Sequence, residues 1–163
     1  VVADSVAEGL SLRSMRDEDL ATLFEIQRDD TAQQLAAFTD ATAQDREAYL
    51  RKWRRILADD GIVKLVAERG GEIVGSVGTY PIGGDTEVTY WIRKDCWGRG
   101  VATAAVALLL REVTVRPLHG RTAADNVGSI RVLERNGFVH VGSERSFAAA
   151  RQETITELIL RRD

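Results

Sequence analysis

One stretch restricts the fold of this chain more than any other. Between Glu87 and Arg111 a β-type run, Glu87-Val-Thr-Tyr-Trp-Ile-Arg93, breaks at Lys94-Asp95-Cys96 and enters the turn Trp97-Gly98-Arg99-Gly100-Val101-Ala102-Thr103. An apolar helix follows, closing on Leu108-Leu109-Leu110. Two glycines between a strand and a helix let the backbone approach a ligand closely, because no Cβ stands in the way. The helix N-terminus offers unpaired N–H groups and partial positive charge, which suit a phosphate or pyrophosphate. Arg99 adds a full charge in the same turn. The stretch reads as an anion-binding turn. It is not a Walker A loop, since no Gly-Lys-Ser/Thr follows, and Thr103 stands at the third glycine position of the dinucleotide fingerprint.

The bulk properties narrow the class. A chain of 163 residues suits one domain with a single core, read as residues 10–163 after a loose tail at 1–9. A net charge of −3 argues against nucleic-acid binding by bulk electrostatics. One cysteine, Cys96, leaves no internal disulfide framework and fits a reducing cytoplasm. The apolar run near Val101 to Leu110 is too short for a bilayer, and no signal-peptide pattern opens the chain. The chain begins at Val1 rather than Met, which is compatible with processing or trimming.

In order, Ser11 to Arg13 reads as a strand, and Asp17 as the cap of a helix carrying Leu20, Leu23, Phe24 and Gln27. Arg28 to Ala43 lacks a clear period and reads as loop plus a helical turn. Asp45 to Ala58 is helical, with Tyr49, Trp53, Ile56 and Leu57 on one face and Gly61 behind it. Its run Arg51, Lys52, Arg54 and Arg55 suggests RNA at first sight, but a solvated helix face accounts for it. Ile62–Glu68 and Glu72–Tyr80 form a hairpin about Gly70-Gly71, and Pro81 to Asp85 makes a second turn. Leu118–Ala123 is a strand and Asn126–Asn136 a helix, capped by Asn126 or Asp125 and ended by Gly137. Strands at Phe138–Ser143 and Thr154–Leu160 close the chain. The order predicts an α/β domain, one mixed sheet with helices on both faces.

The turn has a partner in Ala124-Asp125-Asn126-Val127-Gly128-Ser129-Ile130-Arg131-Val132-Leu133-Glu134-Arg135-Asn136-Gly137-Phe138. Together the two stretches resemble the GNAT superfamily of acyl-CoA-dependent N-acyltransferases. The first is similar to its pyrophosphate motif, Gln/Arg-x-x-Gly-x-Gly/Ala, with Gly100 and Ala102 matching; the second is similar to its Asn-x-x-Ser-x-x-Val-Leu-Glu-x-x-Gly-Phe helix. Trp-Gly-Arg-Gly-x-Ala-Thr with Ser129 is closest to the RimJ/RimL-like branch, which includes ribosomal-protein N-terminal acetyltransferases. The resemblance runs from about Leu10 to Leu160. Trp97 departs from the motif, standing where many members carry Gln or Arg, which leaves a pyrophosphate more dependent on backbone amides.

The resemblance implies a GNAT-like fold of about seven mostly antiparallel strands, in which the Glu87 and Leu118 strands diverge around acetyl-CoA. It places the pyrophosphate over Gly98, Arg99, Gly100, Val101, Ala102 and Thr103, the pantetheine arm on backbone of Trp91 and Ile92, and Asn126 and Ser129 beside that arm. A thioester is already activated, so the enzyme must align it, supply a neutral amine and stabilise the oxyanion. The Ile92 N–H is the candidate oxyanion donor; packing within the sheet is the plainer reading. Glu87 is the candidate base, directly or through water, against a strand-opening carboxylate in solvent. Strand alternation puts Glu87, Thr89 and Trp91 on one face and Val88, Tyr90 and Ile92 on the other.

Many members place an acidic tyrosine where this chain has Leu133. Here Ser129 is the first candidate acid and Tyr90 the second; a local helix hydrogen bond is the alternative for Ser129. For Asn126, capping alone is the simpler role. Cys96 reads as a small half-buried residue rather than an acyl carrier. His119 and His140 lack partners at metal spacing, so no metal is expected. No Gly-x-Ser-x-Gly elbow marks a hydrolase.

The function implied is an acetyl-CoA-dependent N-acetyltransferase working by direct attack in a ternary complex. The acceptor is a protein or peptide α-amine, an amino acid, an antibiotic or another small amine. It would enter between Arg28–Ala43 and the loop around Arg145–Glu153, with Gln27, Met15, Phe38, Phe147 and Glu153 as the candidate acceptor-side residues. A non-catalytic acyl-CoA sensor or scaffold and an unrelated nucleotide-binding module are the rivals. Nucleic acid and membrane are not expected partners, open edge strands are compatible with a homodimer, and longer acyl donors stay open.

Overall fold

The computed structural model describes residues 8–163, so most of the tail read at 1–9 lies outside the described residues. Seven strands form one sheet: β1 (Leu10–Ser14), β2 (Val63–Arg69), β3 (Glu72–Ile82), β4 (Asp85–Ile92), β5 (Leu118–Ala123), β6 (Val139–Ala148) and β7 (Glu153–Arg162). Their spatial order is β1-β2-β3-β4-β5-β7-β6, antiparallel except where β4 meets β5. The helices are α1 (Leu20–Gln27), α2 (Asp30–Ala36), α3 (Arg46–Leu57), α4 (Val101–Glu112) and α5 (Val127–Arg135). None of the described helices is long and apolar enough to cross a membrane.

Strand alternation sends neighbouring side chains into separate cores. Ala67, Val74, Val88 and Ile92 pack with Val101, Ala105, Val106 and Leu109 of α4. Val66 and Ile73 pack on the opposite face with Leu20 and Leu23 of α1 and Trp53 and Leu57 of α3. Helices therefore cover both faces, as the element order predicts.

Several boundaries differ from the sequence reading, each for a local reason. The second hairpin turns at Gly83-Gly84, with φ of 56° and 87°, and β3 continues through Pro81 to Ile82. Pro81 is tolerated because it lies past Thr79, the last residue of β3 paired with β2, so one flank of the strand asks for no donor there. Asp17 caps nothing. It opens a short 3₁₀ turn and pairs with Arg54 at 2.7 Å, while Asp19 accepts the Arg16 N–H and two bonds from the Arg13 guanidinium. Between Arg28 and Ala43 a full helix, α2, forms because the Asp29 carboxylate caps the Ala32 N–H at 2.9 Å. Its polar sequence buries only Ala32 and Gln33, which hides the period. The last two strands run further than expected, leaving a short connection between Ala148 and Glu153.

The feature that matters most lies mid-sheet. β4 and β5 register at a single pair, Glu87 with His119. Beyond it the β5-facing edge of β4 is open.

Candidate active site

A cleft of about 1220 Å³ occupies this opening. At one end Gly98 and Gly100 adopt φ of 71° and 78°, a conformation costly for any residue with a Cβ. Gly100 precedes the first turn of α4, and no side chain caps that turn. The N–H groups of the helix start thus have no side-chain partner. Val101, Ala102 and Thr103 line the cleft, whereas Arg99 is exposed and outside its lining.

Along β4, Arg93 donates its N–H to the Val74 carbonyl at 2.8 Å. Backbone groups alternate along a strand, so the Ile92 N–H turns away from β3 toward the open side. The Ile92 carbonyl is already engaged, accepting the Trp97 indole N–H at 2.8 Å. Of the backbone expected to meet a pantetheine arm, Ile92 thus offers its N–H alone, and the expectation for Trp91 is corrected: by the same alternation its backbone faces β3, where its carbonyl lies against Gly75. Trp97 anchors the strand end instead of reaching a phosphate.

At mid-cleft the Tyr90 hydroxyl lies 2.5 Å from Ser129 Oγ and 3.2 Å from the Ser129 carbonyl. Burial pushes the Tyr90 phenol up to about 12, opposed by its hydrogen bond to Ser129. Two residues read as rival acids thus form one pair. Ser129 is held from behind, its N–H donating to Asn126 Oδ1 at 3.2 Å, while Asn126 Nδ2 donates to the Leu35 carbonyl and ties α5 to α2. Leu133 is 1% exposed and packs against Gly120, so no side chain from that position enters the cleft. Burial, and then the neighbouring Asp95, push the half-buried Cys96 thiol up, away from thiolate character.

Glu87 is not a carboxylate in water: it is 2% exposed. Arg121 Nε donates to its Oε1 at 2.6 Å and the Tyr80 hydroxyl to its Oε2 at 2.9 Å. Arg121 also binds Glu144 and stands 3.9 Å from Glu157, whose side chain is 12% exposed. Burial, and then the Glu87 charge, raise the Tyr80 phenol. Glu87 and Ile92 are five positions apart, about 16 Å along a strand, so they do not converge on one atom. They also lie on opposite faces of β4. The cleft is lined from both faces, by Tyr90 and Ser129 on one and by Tyr80 and Glu87 on the other.

The acceptor side holds some expected residues and not others. Gln27 and Phe38 line the cleft. Met15, just past the end of β1, is 7% exposed and buried with Leu20, Leu23 and Val66, its N–H donating to the Lys64 carbonyl at 3.2 Å. Phe147 is 60% exposed, and neither it nor Glu153 lines the cleft, because β6 and β7 pair straight through this segment. Among the described residues no group of three or more His, Cys, Asp or Glu could share a metal ion.

Sequence reasoning missed Tyr80, Arg121, Glu144 and Glu157, together with Arg131 and Arg135, which also line the cleft. One signal was present. With the turn at Gly83-Gly84, counting back pairs Ile82 with Asp85 and so Tyr80 with Glu87. The i, i+4 spacing of Arg131 and Arg135 places both on one face of α5.

A splayed sheet, an uncapped helix behind a glycine turn and a capped serine helix are joined in one cleft. Residues 10–139 match the model of the acetyltransferase (GNAT) domain. The chain belongs to the GNAT acetyltransferase family. It is 29% identical over 107 residues to YdaF of Bacillus subtilis (strain 168), provisionally named a ribosomal N-acetyltransferase; the match covers 61% of this chain and 58% of YdaF. Among solved structures, a ribosomal-protein-alanine N-acetyltransferase from Brucella melitensis is 25% identical, with a TM-score of 0.73 over 93% of this chain and 98% of that one. The RimL ribosomal L7/L12 α-N-protein acetyltransferase in complex with coenzyme A superposes with a TM-score of 0.80 at 16% identity, covering 96% and 95% of the two chains. These likenesses are consistent with the RimJ/RimL-like branch.

Proposed function

We propose that this protein transfers an acetyl group from acetyl-CoA to an amine, by direct attack within a ternary complex. The observation that carries this is the opening beyond Glu87–His119, which connects an uncapped helix N-terminus on one side with a buried carboxylate on the other. The pyrophosphate lies on the amides of Val101 to Thr103, and the pantetheine arm follows the open edge of β4 past Asn126. The Ile92 N–H stabilises the oxyanion. Ser129 donates to the departing sulfur. Glu87, held by Arg121 and Tyr80, draws the amine proton through intervening water. The acceptor approaches from the side of α2 and α3, lined by Gln27, Phe38 and Trp53. A protein or peptide N-terminal α-amine follows from the RimJ/RimL likeness, with a small amine as the other class.

Because Leu133 is buried and Glu87 is paired with Arg121, an acyl-CoA sensor without turnover is the second reading. Thermal melting with acetyl-CoA, CoA and ATP separates the outcomes, since a ligand that binds the native state raises the melting temperature. The two CoA species are expected to stabilise and ATP is not. Thiol release with a panel of peptides and small amines then reports turnover. Stabilisation with no release from any amine supports the sensor, and no shift at saturating acetyl-CoA overturns both.

A further inference from the structure

The Tyr90 hydroxyl faces two acceptors on one residue, Ser129 Oγ at 2.5 Å and the Ser129 carbonyl at 3.2 Å. Each hydroxyl has one hydrogen and can also accept. Two arrangements satisfy the geometry. In the first, Tyr90 donates to the Ser129 carbonyl and Ser129 donates to Tyr90, so the serine hydrogen is taken up by the phenol oxygen. In the second, Tyr90 donates to Ser129 Oγ, and the serine hydrogen is released toward the cleft that Ser129 lines.

We propose that Tyr90 is a positioning residue, one that turns the Ser129 hydroxyl toward the acyl donor's sulfur as negative charge develops there. The inference rests on the placement of Ser129 in the proposed function. A thioester sulfur is a weak acceptor and leaves the first arrangement in place. A thiolate favours the second, because its charge is met by a donor that Tyr90 backs with its own hydrogen. The stabilisation exists only when charge exists, which is the condition for raising kcat rather than merely tightening binding. The fixed parts are on hand: Asn126 pins the Ser129 N–H, and β4 holds Tyr90 opposite. The phenol keeps its proton throughout the neutral range.

The test is the ionisation of the thiol of bound CoA, followed by thiolate absorbance during a pH titration of the full chain. Ser129→Ala is expected to raise the bound thiol's pKa by about one unit, equivalent to about tenfold in its ionisation constant. Tyr90→Phe, which keeps the ring and its packing, is expected to shift it in the same direction. It should lower kcat about tenfold, with KM for acetyl-CoA changed less than about twofold. The double variant should match Ser129→Ala alone, because the two hydroxyls act in series. Ser129→Thr, which keeps a hydroxyl, should restore most of the shift. If Tyr90→Phe leaves the thiol and kcat at their wild-type values while Ser129→Ala moves them, Tyr90 only packs and the inference is overturned. If CoA binds but Ser129→Ala leaves the thiol unmoved, the placement of Ser129 falls, and this inference with it.

Discussion

The two ends of the cleft handle charge in different ways. At the Gly98–Thr103 end the attraction for an anion comes from backbone: two glycines at positive φ and the uncapped first turn of α4. The cleft-lining arginines on that side, Arg131 and Arg135, are in no ion pair among the described residues. Asn136, next to Arg135, donates to the Thr103 carbonyl at 3.2 Å, which sets the end of α5 against the start of α4. At the other end the charge is all side chain, and one cation serves three carboxylates. Glu144 and Glu157 face each other across β6 and β7, a repulsive pairing that Arg121 relieves while it holds Glu87. The backbone end cannot titrate and tolerates little change in shape. The side-chain end depends on a single cation, Arg121.

Substitutions should separate the two ends, and the largest effect is expected at the backbone. Gly100→Val forces a β-branched residue to φ near 78° and crowds the turn proposed to take the pyrophosphate. Steady-state kinetics should show kcat/KM for acetyl-CoA falling about a hundredfold or more, with a stability loss of about 1–3 kcal/mol from backbone strain. Equal kinetics in this variant would break the comparison.

Arg121→Ala comes next, and its main effect is on stability. Leaving Glu87 buried without its cation should cost about 3 kcal/mol, which for a chain of this size lowers the melting temperature by about 10 °C. Acetyl-CoA should stabilise the variant by as much as it stabilises the wild type, because the cofactor end is untouched. The smallest effect is expected for Arg131→Ala and Arg135→Ala. Each should raise KM for acetyl-CoA about three- to fivefold at low salt and less at high salt, since exposed charges are screened. KM for the amine should not move. A change confined to the amine would reverse the assignment of ends.

The same contrast explains what could be read beforehand. The Gly70-Gly71 turn, the Asn126 cap, the Gly137 stop and the strand–turn–helix at Gly98 all involve residues within a few positions of one another, and all stand in the structure. The site around Arg121 draws on β3, β4, β5, β6 and β7, and apart from the hairpin partners Tyr80 and Glu87 its side chains lie far apart in sequence. Misplacing one turn, at Pro81–Asp85 rather than Gly83-Gly84, was enough to hide the Tyr80–Glu87 pair. Met15 and Phe147 failed as cleft residues because where a side chain lies depends on packing and strand pairing across the sheet, not on its own chemistry: Met15 packs under α1 just past β1, and Phe147 sits in the β6–β7 pairing.

Sequence by itself determined much of the local backbone of this protein: the seven strands, four of the five helices, the glycine turns at Gly70-Gly71 and Gly98, and the Asn126 cap and Gly137 stop of α5. These follow from sterics and hydrogen bonds over a few residues. Only the tertiary structure decided where β4 and β5 part, that Trp97 takes the Ile92 carbonyl, that Tyr90 meets Ser129, and that Glu87 is buried under Arg121. Those outcomes depend on strand order and register across the whole sheet, which no short stretch of sequence carries.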